Sequence, residues 1–336
     1  MKASSRRRAK QPADIIMEGG GVKGIGLLGA LEILEKHYEF RRIAGSSVGA
    51  LVGALIASGM TAKEAKELLR KTSLKNFRDP NFLSKLGPIG QGTALLFKRG
   101  LYKGDALHNW IFKHLQDRGI HTFADLKLTD EWAKALPPRE RYKLVVLAAD
   151  ISRGRLLRLP WDYRLLGRNP DKQLVADAIR ASVSIPFFYE PVKFGRTVAV
   201  DGALLSNFPI TLFDAPTPAA WPTFGIKLSS HEDTNLIAND ISGPFGFPLA
   251  LLDTLINGYD RTHLNDPATT SRTNFIDAAK IKVTDFDITK KQRDLLCNNG
   301  RDAAQEFLKT WDFNKYITRY IKPRYESTKK LIDTSR

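Results

Sequence analysis

Two glycine-rich segments near the start of the chain have residue types and spacing suited to chemistry on a negative charge. Residues 19–24 read GGGVKG after a short apolar run, and residues 45–49 read GSSVG. A serine flanked by glycines at a turn from strand to helix is the pattern of a nucleophile elbow, which predicts Ser47 as a nucleophile. Gly45 and Gly49 would flank it because so tight a turn leaves no space for side chains.

The first segment allows two interpretations. It matches G-x-G-x-x-G, the dinucleotide fingerprint, which follows a strand and opens a helix. That fingerprint also needs an acidic residue at the end of the second strand, where this chain has glycine and serine. The other interpretation is an oxyanion hole for the charge that develops when the serine attacks an ester. Its donors would be the backbone N–H groups of Gly20, Gly21 and Val22, with Lys23 close by.

Hydrophobic periodicity predicts the elements that position these segments. The first two strands are predicted at residues 15–18 and 42–44, each followed by a helix. Parallel strands that lie side by side end at the same edge of a sheet, so the glycine loop would lie beside Ser47. Later strands are predicted at 142–149, 197–200, 224–228 and 275–283, and later helices at 61–72, 174–182 and 289–310. This order indicates an α/β fold with helices packed on a mostly parallel sheet.

A serine nucleophile needs a general base, and two arrangements stay open. Asp201 ends an apolar strand, and Gly202 after it would let the carboxylate approach another loop. The order Ser47, Asp201, His231 would suit an α/β-hydrolase triad, but that fold needs several strands before its elbow. Only 46 residues precede the serine, so the direct serine–aspartate pair is the favoured prediction. Asp150, which also ends an apolar strand, would be either a further site residue or a structural cap.

The three segments GGGVKG at 19–24, GSSVG at 45–49 and DGA at 201–203 resemble, in this order, the motifs of the patatin-like phospholipases. Residues 178–186 are similar to that family's substrate-side stretch, and the resemblance covers about residues 14–230. Ser46, Val48 and Ala203 stand where the family usually has Thr, Ala and Gly. None of these departures removes a catalytic group, although Val48 would narrow the pocket.

The resemblance implies a three-layer α/β/α sandwich around a central, mostly parallel sheet. It also implies a Ser47–Asp201 dyad without histidine that cleaves lipid acyl esters through an acyl-enzyme, as phospholipase A or lysophospholipase enzymes do. The supporting positions of the loops would be Gly19, Gly24, Gly45, Gly49 and Gly202. No cofactor or metal is predicted, and the single cysteine, Cys297, excludes an intrachain disulfide.

The chain is strongly basic, with 52 Lys and Arg against 36 Asp and Glu. The net charge of +16 attracts polyanions, of which nucleic acid and anionic lipid are the common ones. No nucleic-acid recognition motif is present, so an anionic phospholipid surface is the predicted partner. The sequence identifies neither an activator nor an oligomeric state.

Two apolar stretches, 185–189 and 244–249, would rim an acyl pocket or belong to the core. The basic residues of 315–336 would lie on lipid through Tyr316, Ile317, Tyr320 and Tyr325.

The predicted organisation is a basic tail at 1–13, one hydrolase domain at 14–311 and a basic C-terminal segment at 312–336. The N-terminal basic residues are not followed by the apolar core of a signal peptide. Residues 43–62 are uncharged, but too few of them are strongly apolar for a membrane span. We therefore expect a cytoplasmic protein that associates peripherally with the inner face of the membrane.

Overall fold

The fold is a central β-sheet with helices around it, seen in a computed structural model. The structure describes residues 9–214, 220–228, 266–278 and 287–323, together with positions 241, 246, 247, 250, 251, 254, 281, 325 and 326. Residues 142–150 and 223–227 include strands in which every side chain is buried, so both faces of the sheet are covered there. The predicted α/β class with a central, mostly parallel sheet is confirmed.

The described residues form ten strands in two sheets. Their bounds are β1 Gln11–Met17, β2 Tyr38–Ser46, β3 Gly100–Tyr102, β4 Leu144–Asp150, β5 Arg155–Leu159, β6 Phe187–Tyr189, β7 Val192–Phe194, β8 Thr197–Asp201, β9 Thr223–Lys227 and β10 Thr273–Phe275. The large sheet has the order β10-β9-β1-β2-β4-β8-β7, and β5 also pairs with β4. β3 and β6 form a separate parallel pair.

The described helices have at most 12 residues, except for one of 21 residues near the C-terminal end. Their bounds are α1 Ile25–Leu34, α2 Val48–Ala57, α3 Ala62–Lys71, α4 Gly87–Lys98, α5 Asp105–Gln116, α6 Glu131–Lys134, α7 Val175–Ser182, α8 Pro267–Thr270, α9 Lys290–Thr310 and α10 Phe313–Tyr316. A π-helical turn, Ile317–Ile321, follows α10. None of the helices in the described part of the chain combines the length and the apolar character that crossing a bilayer requires.

Helix starts coincide with capping residues in the sequence. Thr61 caps α3 and forms a capping box with Glu64, and Thr289 forms the same reciprocal pair with Gln292 at the start of α9. Each box satisfies backbone N–H groups that have no partner inside the helix. These signals explain why the predicted bounds of both helices agree with the structure within one residue.

Three strand predictions differ from the structure by several residues at one end. β2 begins at Tyr38, four residues before the predicted start at residue 42. β1 begins at Gln11, so residues 11–13 of the predicted tail pair with β2. Gln11 and Pro12 are exposed, and hydrophobic periodicity does not register exposed strand residues. The strand predicted at 275–283 is β10, which ends at Phe275, and most of residues 279–286 lie outside the described part of the chain.

The sheet brings the ends of β2 and β8 together although the two strands run in opposite directions. β1, β2, β4, β9 and β10 are parallel, whereas β8 is antiparallel to β4. Ser46 pairs with Leu147, and Asp201 pairs with the next residue of β4, Ala148. The last residue of β8 therefore lies level with the residue that precedes Ser47.

Helices α1 and α9 cross at glycines. A Cβ atom on Gly29 would lie 2.0 Å from the carbonyl oxygen of Cys297, and one on Gly300 would lie 2.1 Å from the carbonyl oxygen of Gly26. Nine of the ten residues of α1 are buried. The long C-terminal helix therefore covers the helix that follows the glycine loop.

Substitution of Gly29 by Ala is expected to lower the free energy of unfolding by about 1–3 kcal/mol, because the new methyl group must push two backbones apart. Gly92→Ala in α4 is the matched control, since nothing lies within 4 Å of a Cβ there. Its free energy of unfolding should stay the same or rise by about 0.5–1 kcal/mol. Urea denaturation measures both, and equal midpoints for the two variants would contradict the close crossing.

Candidate active site

Ser47 occupies the turn between β2 and α2 in a strained conformation. Its φ of 52° and ψ of −126° lie in a region that residues other than glycine rarely adopt. A Cβ on Gly45 would lie 2.6 Å from the carbonyl carbon of Gly49, and one on Gly49 would lie 2.5 Å from the carbonyl oxygen of Met17. Both flanking glycines are therefore required by the close approach of backbones, as the elbow pattern predicts.

The turn is fixed from the opposite side by α7. The backbone N–H of Ser47 donates a hydrogen bond of 2.9 Å to Oγ of Ser182, which is fully buried at the end of that helix. Oγ of the neighbouring Ser46 donates to the carbonyl oxygen of Ser206 at 2.6 Å. These contacts hold the strained residue in place from segments that are distant in sequence.

Asp201 lies next to Ser47 and is only 3% exposed. The side chain of Ser47 lies close to its carboxylate and favours the ionised form. Oδ1 also accepts the backbone N–H of Ala203 at 2.9 Å, and the N–H of Asp201 itself donates to the carbonyl oxygen of Ser184. Burial raises the pKa of Asp201 to about 7, although the N–H of Ala203 and the nearby side chain of Ser47 both lower it. A carboxylate that titrates near neutral pH is well suited to accept a proton.

The glycine loop passes directly beside the elbow. A Cβ on Gly19 would lie 3.1 Å from Cβ of Ser47. Residues Gly21–Gly24 form a 3₁₀ turn, in which the N–H of Lys23 donates to the carbonyl oxygen of Gly20. None of the described residues accepts a hydrogen bond from the N–H groups at positions 20, 21 and 22. The backbone N–H of Lys23 is therefore already used within the loop, whereas the N–H groups at the other three positions can bind a ligand.

A buried ion pair fixes the start of this loop. Glu18 accepts hydrogen bonds from Lys227 at the end of β9, from the N–H of Leu228 and from Nδ2 of Asn207. The carbonyl oxygen of Asn207 in turn accepts the N–H of Gly19 at 3.1 Å. These hydrogen bonds and the cation of Lys227 offset the free-energy cost of removing the Glu18 carboxylate from water. Strands β1 and β9 therefore hold the loop at the sheet edge.

An apolar cleft opens at Ser47, with a volume of about 80 Å³. Its walls include Val22, Val48, Leu51, Leu74, Phe77, Leu107, Ile185 and Tyr189. Val48 reaches over the glycine loop, since a Cβ on Gly24 would lie 2.2 Å from its Cγ2. The departure from the usual alanine thus places two methyl groups in the wall of the cleft. Such a lining suits a hydrocarbon chain.

Comparison with known proteins shows the family to which this chain belongs. A family model described as patatin-like phospholipase matches residues 15–214, more than half of the chain. The chain belongs to the patatin-like phospholipase family. This membership supports a lipid-hydrolysing enzyme.

Relatives and a solved structure extend the comparison. YqhO of Bacillus subtilis (strain 168) is 35% identical over 307 residues, which cover 89% of this chain and 99% of that protein. A protein named probable lipid hydrolase, from Invertebrate iridescent virus 6, is 26% identical over 211 residues, or 59% of this chain and 62% of its own length. The crystal structure of VipD from Legionella pneumophila has a TM-score of 0.51 at 14% identity and covers 90% of this chain and 68% of VipD. VipD therefore shares the fold.

Some residues predicted as possible parts of the site lie elsewhere in this patatin-like protein or outside its described residues. Asp150 is fully buried and bonded to the N–H of Ser152 and to the side chains of Arg153 and Arg155, so it caps the end of its own strand. His231 and most of residues 244–249 lie outside the described residues. Of the stretch 185–189, the side chains at 185 and 189 line the cleft.

Several residues that support the patatin-like site were not predicted as site residues. Ser182 and Ser184 belong to the stretch 178–186 that resembles the family, which is the signal that could have identified them. Glu18 and Lys227 belong to no motif. Their only signal is a charged residue at the end of each of two apolar strands, which is meaningful once the strands are known to be neighbours.

Substitution of Asp201 by Asn should stabilise the protein above neutral pH. The pKa of Asp201 rises from 3.8 to about 7 on folding, so the folded state binds more protons between these values and wild-type stability falls as pH rises through that window. The variant keeps the hydrogen bond to Ala203 and cannot ionise. Its advantage in the free energy of unfolding should grow by on the order of 4 kcal/mol from pH 4 to pH 8. Urea denaturation at several pH values measures this, and a constant difference would contradict it.

Proposed function

We propose that the protein hydrolyses acyl esters of membrane glycerolipids, as a phospholipase A or lysophospholipase, through a Ser47–Asp201 dyad. The observation that carries the proposal is the close approach of the Ser47 side chain, which lines an apolar cleft, to a fully buried carboxylate. An enzyme of this kind forms and then hydrolyses an acyl-enzyme.

In the acylation step, Oγ of Ser47 attacks the ester carbonyl carbon while its proton passes to the carboxylate of Asp201. The N–H groups of Gly20, Gly21 and Val22 then face the oxyanion of the tetrahedral intermediate. Collapse of the intermediate breaks the ester bond, and Asp201 returns the proton to the departing alcohol. In the second step water attacks the acyl-enzyme while its proton passes to Asp201. Asp201 then returns this proton to Oγ of Ser47 as the bond to the serine breaks and the fatty acid is released.

Three observations favour a lipid over a small polar ester. The cleft walls are apolar, the family is named for phospholipases, and a relative has the name of a probable lipid hydrolase. The net charge of +16 favours an anionic lipid surface as the place of reaction. We include peripheral membrane association and independence of any cofactor in the proposal.

The dinucleotide alternative has less support. A dinucleotide site uses an acidic residue at the end of the second strand to bind the ribose. Here β2 ends at Ser46 and is followed at once by Ser47. The glycine loop contacts this serine, so a bound nucleotide would compete with the elbow for the same space.

Activity measurements on three variants test the dyad. Ser47→Ala should abolish fatty-acid release from phospholipid vesicles and from a soluble short-chain ester. Asp201→Asn should lower both by about 10²–10⁴-fold, the usual contribution of a general base. His231→Ala should leave both unchanged. Loss in all three variants would favour a triad, and no release from either substrate by the wild type would contradict the proposal.

The pH dependence of kcat/KM on the soluble ester provides a second test. Asp201 must be ionised to accept a proton, so activity should fall as pH decreases through about 7. A histidine base would give a similar profile, since its ordinary pKa is about 6.5. The profile is therefore measured for the wild type and for His231→Ala. The same midpoint in both agrees with Asp201, whereas a midpoint near pH 4 would contradict a buried carboxylate base.

A further inference from the structure

Exposed apolar side chains lie on the segment that connects Phe77 and Leu107, two residues of the cleft wall. Phe97 and Phe82 are 77% and 74% exposed, the highest values among the large apolar side chains of the described residues. Leu86 is 60% exposed, and Phe187 on β6 is 41% exposed. Single exposed apolar residues are ordinary, but several on one connected segment mark an interaction site.

The same segment is basic. Residues 80–104 include four basic residues and no acidic one. The side chains of Lys85, Lys98, Arg99 and Lys103 are all exposed, and none of them forms an ion pair with a carboxylate in the described ranges. We call the four apolar and four basic side chains together the cap surface. Its composition matches the interfacial region of an anionic bilayer, where aromatic rings and basic groups are both stabilised.

The cap surface is fixed to the wall of the cleft by Asn81, which is 2% exposed. Its Nδ2 donates to the carbonyl oxygen of Gly100 on β3 at 2.9 Å and to Oε1 of Glu190 after β6 at 3.2 Å. Its Oδ1 accepts the N–H of Ser84 at 2.8 Å. The turn that precedes α4 is thus bonded to both strands of the small sheet.

The small sheet in turn forms part of the cleft. Phe187 lies between Ile185 and Tyr189, which line the cleft, and the hydroxyl of Tyr189 donates to the carbonyl oxygen of Phe77 in the same wall. Phe187 has a φ of 68°, and Arg99, one residue before its register partner Gly100, has a φ of 62°. Left-handed backbone at residues other than glycine persists where surrounding structure imposes it, commonly at functional sites.

The cleft is too small to enclose a whole lipid, which is a reason to expect a lipid-binding surface beside it. Sites that enclose a whole small ligand have volumes of about 300–1,000 Å³. The cleft at Ser47 has about 80 Å³ and holds only part of a glycerolipid. The remainder of the substrate must then stay in the bilayer, which requires that the bilayer reach the mouth of the cleft.

We propose that the cap surface docks the protein on an anionic lipid bilayer and so presents the mouth of the cleft to the lipids. This proposal rests on the proposed function. It assigns docking to the cap surface in place of the C-terminal segment predicted from the sequence. Tyr316 of that segment is buried, with its ring centroid 5.4 Å from that of Trp311, so it is not available to lipid.

Cosedimentation of the full chain with vesicles tests the proposal. Ser47→Ala is the background, so that the lipids stay intact, and the vesicles contain phosphatidylcholine with or without phosphatidylglycerol. Phe82→Ser with Phe97→Ser should lower the partition coefficient by about tenfold or more. The control pair Leu165→Ser with Ile151→Ser, at residues 63% and 47% exposed elsewhere on the surface, should leave it unchanged.

Charge reversal tests the basic part separately. Lys85→Glu with Lys98→Glu should weaken binding to the anionic vesicles by at least about fivefold per residue. Lys172→Glu with Lys193→Glu changes the net charge equally at exposed lysines outside the cap surface and should have little effect. Equal losses in both pairs would show that only net charge matters and would overturn the proposal.

Hydrolysis of the soluble ester separates docking from catalysis. With Ser47 present, the cap-surface variants should hydrolyse the soluble ester at the wild-type rate while they lose activity on vesicles. Unchanged vesicle binding in both cap-surface pairs overturns the docking proposal even if the ester is hydrolysed. Failure of the wild type to hydrolyse the ester, with vesicle binding still lost in the cap-surface pairs, overturns the proposed function and supports docking.

Discussion

The turn at Ser47 is the constraint on which the rest of the site depends. Holding a residue other than glycine in this backbone conformation destabilises the folded state by on the order of 1–3 kcal/mol, and other contacts must offset that cost. The fold does so with α2, of which nine residues are buried, and with the hydrogen bond from Ser47 to Ser182. The strain also has a geometrical result, because it turns the side chain of Ser47 toward Asp201 and the cleft.

The second constraint is the burial of Asp201. Removal of this carboxylate from water makes it a better proton acceptor and at the same time makes its ionised form costly to the folded state. The N–H of Ala203 and the nearby side chain of Ser47 offset part of this cost. Glu18 is also buried but has the cation of Lys227 beside it. Asp201, which has no cation beside it in the described structure, is therefore suited to exchange a proton, whereas Glu18 is suited to hold the glycine loop in place.

Local patterns in the sequence predicted the class of the fold and the residues at its centre. The elbow and the glycine loop were predictable because each is a short segment whose glycines have steric reasons to be there. Asp201 was predictable as the end of an apolar strand, and the antiparallel direction of that strand was not. Pairing direction depends on the path between strands, which no local pattern records.

The supporting residues were unpredictable for the same physical reason. Ser182 is 135 residues from Ser47, and Lys227 is 209 residues from Glu18. A single buried serine or lysine looks like any other polar residue until the chain has folded around it. Asp150 shows the reverse case, since its partners Ser152, Arg153 and Arg155 follow it directly and favour the cap over a role in the site.

Helix α9, which crosses α1, lies outside the part of the chain that the family model matches. The sequence motifs of the family and the match itself end by residue 214. A fragment cut there would lack β9, the hydrogen-bonding partner of β1, and would expose α1 where Gly300 now contacts it. Its free strand edge and bare apolar helix would favour aggregation. A shortened chain that keeps both contacts must extend through Thr310, nearly one hundred residues beyond the end of the family match.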